Sequence, residues 1–174
     1  KLMGEKSSAI YWGYLFYKEW KFCPAATNKG LCNILLPNES FTNLESWAAK
    51  YFPRATLIYD QVKLAPYIVE LDDYFKGKRQ TFNFSLDLRG TEFQKTVWKA
   101  LLKIPYGTTK SYSEIAREIN RPKAVRAVGA ANGANPIPIV IPCHRVLGKD
   151  GTLAGFRGGL ELKKALLKIE GVGA

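Results

Sequence analysis

The sequence contains little of what disulfide frameworks and metal centres require. It has three cysteines, Cys23, Cys32 and Cys143, and a single histidine, His144. An odd number of cysteines argues against a disulfide framework and favours a reducing compartment. Cys23 and Cys32 have no histidine between them, so a four-ligand zinc site could be filled only by adding Cys143 and His144. We therefore expect no metal and no cofactor, and we expect Cys23 and Cys32 to be small core residues.

The sequence also lacks the long apolar runs of membrane proteins and the aromatic-poor composition of disordered ones. No segment approaches the roughly 20 apolar residues that a membrane-spanning helix needs, and no cleavage-site pattern follows the N-terminal stretch. From this we expect no membrane partner and a cytoplasmic location, or a nuclear one in a eukaryote. The 174 residues are 47% hydrophobic, which predicts one sizeable core or two small ones. Aromatic residues make up 13%, too many for a disordered chain.

Acidic residues are few. The chain has 15 of them against 26 basic residues, and its net charge is +11. The surplus lies mainly in the second half, since residues 85–174 carry 15 basic and 7 acidic groups, whereas residues 1–84 carry 11 and 8. A basic domain often binds a polyanion, because phosphate contacts release condensed counterions. Charge alone leaves two interpretations open, a nucleic-acid ligand and a surface that only maintains solubility.

The first half of the chain has the pattern of a small α+β unit. Apolar residues alternate with others in its first segment, as in a strand with one buried face. Two stripes of apolar residues at helical spacing come later. We predict strands over 8–18, 20–23 and 31–36, a turn at 28–30, a helix that begins at a capping box formed by Thr42 and Glu45, and a second helix that ends at Gly77.

The second half is predicted to be mostly helical. An extended segment ends at Arg89 and Gly90, where we place a domain boundary. Capping-box spacing at 91–94 and 111–114 predicts the starts of two helices. Pro122 suits the first turn of another helix, predicted to end near residue 132. Two short helices with a tight turn resemble a helix-turn-helix, although the pattern alone slightly favours an ordinary helical hairpin packed on alanines.

The segment 135–146 carries the strongest indication of chemistry. Prolines and a β-branched run predict a buried strand that ends at Pro142 and presents Cys143, His144 and Arg145. A free thiol has a pKa of about 8.5, and neighbouring positive charge or a base favours the nucleophilic thiolate. Adjacent residues on an extended chain face opposite sides, so a proton is expected to pass from Cys143 to His144 through a water. The alternative is an inert core thiol.

The pentapeptide over 142–146, Pro-Cys-His-Arg-Val, resembles the active-site signature of the O6-alkylguanine-DNA alkyltransferases, also called methylated-DNA–protein-cysteine methyltransferases. The resemblance extends over residues 89–171, with further matching segments at 109–116, 122–129, 135–138, 158–159 and 166–171. The first half is similar to the family only in architecture. The resemblance implies an α/β (α+β) fold, with a ribonuclease-H-like domain over 1–88 and a winged-helix-like DNA-binding and alkyl-acceptor domain over 89–174.

The resemblance also implies an activity. Cys143 would accept the alkyl group of O6-alkylguanine, or of O4-alkylthymine, from double-stranded DNA after nucleotide flipping, once per protein molecule. His144 would act as the base through a water, and Glu170 would orient the imidazole. The protein would bind the minor groove as a monomer, without a cofactor.

Further roles follow from the same resemblance. Arg126 would replace the extruded guanine in the duplex, and Tyr112 would crowd the phosphate and protonate the leaving base. Asn135 would join the recognition helix to the active-site segment. The remaining implied contacts are Ser113, Arg121, Ala127 and Ala130 with DNA, and Pro138, Val146, Phe156 and Arg157 in the alkyl pocket. Many relatives have tyrosine and serine in place of Phe156 and Arg157, which leaves the tolerance for bulky alkyl groups open.

Three other functions are weighed against this one. A protein that binds the lesion without repairing it would lack the acceptor cysteine, whereas this chain has Cys143. A helix-turn-helix transcription regulator is disfavoured, because no dimerisation segment or second DNA-binding module is evident. A thiol hydrolase is disfavoured because cysteine proteases separate their cysteine and histidine along the sequence.

Overall fold

The computed structural model describes residues 8–173. Its first part is a five-stranded sheet, in which β3 pairs antiparallel with β1, β2 and β4, and β1 pairs parallel with β5. Two helices accompany the sheet. The elements are β1 Ala9–Trp12, β2 Leu15–Tyr17, β3 Trp20–Thr27, β4 Gly30–Leu35, α1 Phe41–Tyr51, β5 Thr56–Tyr59 and α2 Gln61–Phe75.

The strand predicted over 8–18 is divided into β1 and β2, which pair with β3 in one continuous register. Between them the backbone N–H of Gly13 donates to the carbonyl of Pro24 at 3.1 Å, but proline has no N–H to return, so the ladder is interrupted there. The side chain of Gln61 accepts from the N–H of Tyr14 at 2.8 Å and donates to its carbonyl at 2.7 Å. The alternation itself is kept, since Ile10 and Tyr14 pack in one hydrophobic cluster and Leu15 packs in another. The expectation of a single buried face is wrong, because residues of both faces pack in a cluster, while Phe16 near the end of the segment is 63% exposed.

The turn between β3 and β4 and the start of α1 test two further predictions for the first half. The turn at 28–30 is confirmed, since β3 and β4 form a hairpin around it. The capping box predicted at Thr42 and Glu45 is wrong, because α1 begins two residues earlier. Ser40 is the N-cap, and its backbone N–H donates to Oδ1 of Asn43 at 2.8 Å.

The second part contains four α-helices and a two-stranded parallel sheet. Its helices α3 and α4 begin at the predicted capping boxes, at Thr91 with Gln94 and at Ser111 with Glu114. The sheet joins β6 to β7, and β6 leads directly into α4. The elements are α3 Glu92–Leu102, β6 Lys110–Ser111, α4 Tyr112–Glu118, α5 Val125–Gly133, β7 Val146–Leu147 and α6 Leu160–Ile169, with short 3₁₀ turns at Cys143–Arg145 and Lys149–Gly151.

Two predictions for the second part are wrong in detail. The helix expected to start at Pro122 starts at Val125, because the preceding residues form a turn in which the N–H of Ala124 bonds to the carbonyl of Arg121 at 2.9 Å. The buried strand expected over 135–142 is a compact loop with one isolated bridge between Pro138 and Ile141. The loop is buried as predicted, but its prolines cannot donate to a ladder.

One hydrophobic core joins the two parts. Leu71 and Tyr74 of α2 belong to the same buried cluster as Trp98 and Leu101 of α3 and Ile137 of the loop. A smaller cluster, which includes Cys23 and Cys32, lies between the sheet and α1. Both cysteines are buried and free, as expected of core residues. The predicted fold, a sheet-and-helix first half followed by a mostly helical second half, is confirmed.

The part of the chain that the structure describes contains no helix long and apolar enough to cross a membrane.

Candidate active site

Cys143 begins a 3₁₀ turn at the end of the 135–142 loop. Asn135 holds this loop closed, since its Nδ2 donates to the carbonyl of Ile141 at 2.8 Å and its Oδ1 accepts from the N–H of Ile137 at 2.9 Å. Ile139 has a φ of +76°, which β-branched residues rarely adopt. The loop is therefore held in a strained shape by buried hydrogen bonds, as is common where a reactive group must be positioned. Asn135 acts within the loop rather than only between two elements.

His144 and Glu170 form a buried pair behind the cysteine. His144 Nε2 lies 2.7 Å from Glu170 Oε2, and both side chains are fully buried. Arg145 donates to the same carboxylate, from Nε to Oε1 at 2.8 Å and from a terminal nitrogen to Oε2 at 3.1 Å. The backbone N–H of Gly107 also donates to Oε1, at 3.1 Å. The residues predicted to act together, His144 and Glu170, are thus in direct contact.

The protonation states follow from these contacts. Burial raises the pKa of Glu170, but hydrogen bonds from His144 and Arg145 outweigh burial and hold it at about 2. Burial lowers the pKa of His144 below its ordinary value, against the opposing effect of Glu170. A carboxylate only accepts hydrogen bonds, so Nε2 of the neutral imidazole carries the proton and Nδ1 has the lone pair. Nδ1 has no hydrogen-bond partner among residues 8–173 and can serve as a base.

The thiol of Cys143 is protonated at rest. The residue is only 4% exposed, and burial raises the pKa of its thiol more than the Asn135 hydrogen bond and the charges of Arg157 and Lys163 lower it. Arg145, expected to favour the thiolate, is bound to Glu170 and to the carbonyl of Ile104 instead. The thiol therefore needs a base in order to react.

Cys143 nevertheless faces a cavity of about 320 Å³. The cavity is lined by the predicted residues Tyr112, Pro138, Phe156 and Arg157, together with Leu36, Gly129, Asn132, Gly133 and Gly155. The predicted pocket residue Val146 is not brought to it. Val146 is fully buried, and its carbonyl accepts from the buried amine of Lys163 at 2.7 Å. The cavity gives the thiol a route to a ligand despite its low exposure.

The first half of the chain supplies part of the cavity rim. Arg157 Nε donates to Glu39 Oε2 at 3.2 Å, and Arg157 Nη1 donates to the carbonyl of Gly133 at 2.5 Å. Asn38 Nδ2 donates to the Arg157 carbonyl at 2.8 Å. No pattern in the sequence marks Asn38 or Glu39 as site residues, because their contacts lie more than a hundred positions away. These bonds fix the loop that carries Phe156 and Arg157 over Cys143.

A basic, smooth surface lies beside the cavity. Arg121, Arg126, Ala127 and Ala130 are exposed, and Tyr112 and Ser113 are half-buried at the start of α4. The opposite side of α5 is packed on α3, where Trp98 Nε1 donates to the carbonyl of Ala131 at 2.8 Å. The predicted DNA-contacting residues are thus all at least partly accessible, and they lie on α4, on α5 or in the turn between them, the two helices that also supply Tyr112 and Gly129 to the cavity.

Tyr74 is a site residue that sequence reasoning missed. It lies near the end of α2, and its hydroxyl donates to Glu170 Oε2 at 2.5 Å. In the sequence it is one of several aromatic residues on an amphipathic helix, so nothing distinguishes it from a core residue.

Comparisons with known proteins agree with this geometry. The model of the 6-O-methylguanine DNA methyltransferase ribonuclease-like domain matches residues 10–88, and the model of the DNA-binding domain of the same name matches residues 92–172. The chain is 51% identical over 168 residues to the inducible methylated-DNA–protein-cysteine methyltransferase of Bacillus subtilis, covering 97% of this chain and 94% of that relative. It is also 51% identical over 130 residues to the Mycobacterium bovis methylated-DNA–protein-cysteine methyltransferase, covering 74% and 79%.

Solved structures show the same similarity. Mycobacterium tuberculosis OGT in complex with DNA superposes with a TM-score of 0.79 at 40% identity, over 92% of each chain. The structure of Mycobacterium tuberculosis O6-methylguanine methyltransferase gives a TM-score of 0.80 at 39% identity, over the same 92% of each chain.

Proposed function

The chain belongs to the 6-O-methylguanine DNA methyltransferase family, and from that premise we propose how it works. It binds DNA and repairs it by transferring an alkyl group from guanine O6 to its own Cys143. The observation that carries this assignment is the position of Cys143 on the wall of a cavity, with the buried His144–Glu170 pair adjoining it in the structure. The residue roles below extend the family assignment to individual side chains.

The first step is activation of the thiol. Because burial keeps Cys143 protonated, His144 Nδ1 takes the thiol proton through a bridging water. Glu170 stays ionised and stabilises the imidazolium that forms, at 2.7 Å from Nε2. The transient thiolate–imidazolium pair has the same total charge as the resting thiol and imidazole. The buried site therefore never gains net charge during activation.

The second step is displacement. The Cys143 sulfur forms a bond to the alkyl carbon while the bond from that carbon to O6 breaks, and its electrons pass to guanine. Tyr112 lines the cavity and protonates the leaving base. Burial raises the pKa of its hydroxyl, and so does the charge of Cys143 once the thiolate has formed, so Tyr112 holds its proton until the base leaves. The imidazolium returns a proton to Tyr112. In total the thiol proton moves to guanine, and no other reactant is needed.

The product explains why each molecule acts once. A thioether offers no leaving group comparable to guanine, so the alkyl group stays on Cys143. The same chemistry applies to O4-alkylthymine if that base enters the cavity. Phe156 and Arg157 define one side of the cavity and thereby the size of alkyl group accepted.

The reacting carbon is inside the base stack, so the nucleotide must be flipped out, at a cost of about a few kcal/mol. We assign α5 to the minor groove, because Ala127 and Ala130 make its exposed side smooth enough for close approach. Arg126 would fill the space left by the base. Ser113 and Arg121 would contact phosphates, consistent with the basic surplus of the second half. We propose that the protein acts as a monomer.

We also propose that the chain divides into units over 1–88 and 89–174, the first supporting the cavity rim and the second carrying the acceptor. Residues 1–7 and 174 of these units lie outside the described residues.

A stoichiometric assay tests the function. The protein is mixed with an excess of duplex containing one O6-methylguanine, and repaired duplex is counted over time. We expect repair to stop when one lesion has been removed per protein molecule. Cys143→Ser should remove none, and Cys23→Ala, which changes another buried thiol, should match the unmodified protein. Continued turnover, or repair by Cys143→Ser, would reject the proposal.

A further inference from the structure

We infer that Tyr74, from α2 in the first half of the chain, is a positioning residue that fixes the His144–Glu170 pair. The inference rests on the proposed roles of His144 and Glu170, and it assigns the first half a part in the chemistry.

The hydroxyl of Tyr74 is placed with little freedom. The side chain is fully buried, and its ring packs edge-on against Phe75 and Tyr106, with centroids 5.7 Å and 6.2 Å away. Oη donates to Glu170 Oε2 at 2.5 Å and lies 3.4 Å from His144 Nε2. A buried hydroxyl with this geometry belongs to the polar network rather than only to the core.

The hydroxyl shares its acceptor with the imidazole. Glu170 Oε2 receives the Tyr74 hydroxyl, His144 Nε2 at 2.7 Å and a terminal nitrogen of Arg145 at 3.1 Å. Burial and the charge of Glu170 raise the pKa of Tyr74 well above its ordinary value, so the hydroxyl keeps its proton and donates it to the carboxylate, which can only accept. Tyr74 therefore neutralises part of the charge on the oxygen that faces His144.

This sharing has two consequences for the base. It lowers the affinity of Oε2 for a proton, which keeps the imidazole proton on Nε2 and leaves the Nδ1 lone pair available. It also limits how strongly Glu170 favours the imidazolium. The other charged groups acting on His144 are Arg145 and Lys163, and both lower its pKa. Without the Tyr74 hydroxyl, the Glu170 carboxylate would stabilise the imidazolium form of His144 more strongly.

The single histidine makes the test direct. Protein labelled with ¹⁵N-histidine shows only His144, whose ring shifts report both the tautomer and the titration. Tyr74→Phe keeps the ring and removes the hydroxyl. Tyr67→Phe is the matched control, because Tyr67 is on the same helix and packs its ring against Phe84 at 4.9 Å. The same proteins are assayed for single-turnover repair rate against pH, for duplex affinity and for melting temperature.

We expect Tyr74→Phe to raise the pKa of His144 by about half a unit or more, in line with the loss of one hydrogen bond to a charged group. The acid limb of the rate profile should move to higher pH by a similar amount, with duplex affinity unchanged. Tyr67→Phe should match the unmodified protein in both.

A titration and rate profile of Tyr74→Phe that superpose on those of the unmodified protein would overturn the inference, with or without a lower melting temperature. A downward shift would also overturn it. These results are separable from failure of the proposed function, which would appear as absence of repair by the unmodified protein, while the imidazole titration needs no DNA.

Discussion

Replacing Glu170 with glutamine removes the negative charge that His144, Arg145 and Tyr74 share, while the shape of the side chain is kept. In the folded protein this carboxyl has a pKa of about 2, against 4.5 for an ordinary glutamate. Each unit of difference corresponds to about 1.4 kcal/mol, so ionisation of Glu170 contributes about 3 kcal/mol to the free energy of unfolding near neutral pH. Its side chain is fully buried, so solvent screens this contribution little.

The substitution also leaves the Arg145 charge without its partner. Removing one partner of a buried ion pair costs about 3–5 kcal/mol. This cost and the contribution of about 3 kcal/mol from the pKa of Glu170 are two estimates of the same loss, so they are not added. We therefore expect Glu170→Gln to lower the free energy of unfolding by about 3–5 kcal/mol at pH 7. Glu114→Gln is the matched control, because Glu114 is exposed and accepts the Ser111 N–H of a helix cap. Its cost should be about 1 kcal/mol or less.

Urea denaturation at several pH values measures both effects. The folded pKa of Glu170 is lowered, so its contribution is complete above the unfolded pKa of about 4.5 and is lost as the pH falls towards 2. The difference in stability between the unmodified protein and Glu170→Gln should thus shrink over that range. Equal stability at pH 7, or a difference that stays constant from pH 7 to pH 3, would refute the reasoning about the buried network.

Two further predictions concern the DNA face and the leaving base. Arg126→Ala should slow repair of duplex by about 10- to 100-fold, because flipping costs a few kcal/mol. Its reaction with a free O6-alkylated guanine base should be nearly unchanged, because a free base needs no flipping. Equal losses of rate with both substrates in single-turnover assays would show that Arg126 has no role in flipping. Tyr112→Phe should slow transfer by about 10- to 100-fold, as expected for loss of an acid, and least for alkylated bases with a better leaving group; a uniform loss across leaving groups would argue against proton donation.

The features that could be predicted from the sequence are those set by local chemistry. The capping boxes at Thr91 and Ser111 each need only two residues three positions apart, and α3 and α4 begin at them as predicted. The pattern around Cys143 and His144 was enough to identify the family, which the comparisons confirm. The roles given to single residues from that pattern, such as Arg126 and Asn135, stay predictions.

Other features depend on contacts between distant residues. The pattern of 8–18 predicts one buried face, whereas residues of both faces pack in hydrophobic clusters that include residues of α1 and α2, which no local pattern reveals. The β-branched run before Pro142 indicates burial correctly, but burial does not distinguish a strand from a compact loop closed by Asn135.

The charge state of the thiol was also beyond the sequence. Positive neighbours in sequence suggested a lowered pKa, yet Arg145 points to Glu170 and burial dominates at Cys143. Tyr74 lies 96 positions from Glu170, so its place in the network depends on how α2 packs against the second half. The direction of a pKa shift requires knowledge of burial, which is a property of the whole fold.

The identity of the alkyl acceptor is tested most directly by mass. The protein is incubated with duplex DNA containing O6-methylguanine, and the intact chain and its peptides are weighed. The account predicts that one methyl group replaces one hydrogen, on the peptide that contains Cys143. A methyl group on any other residue, or an unchanged mass after the duplex has been bound, would contradict it.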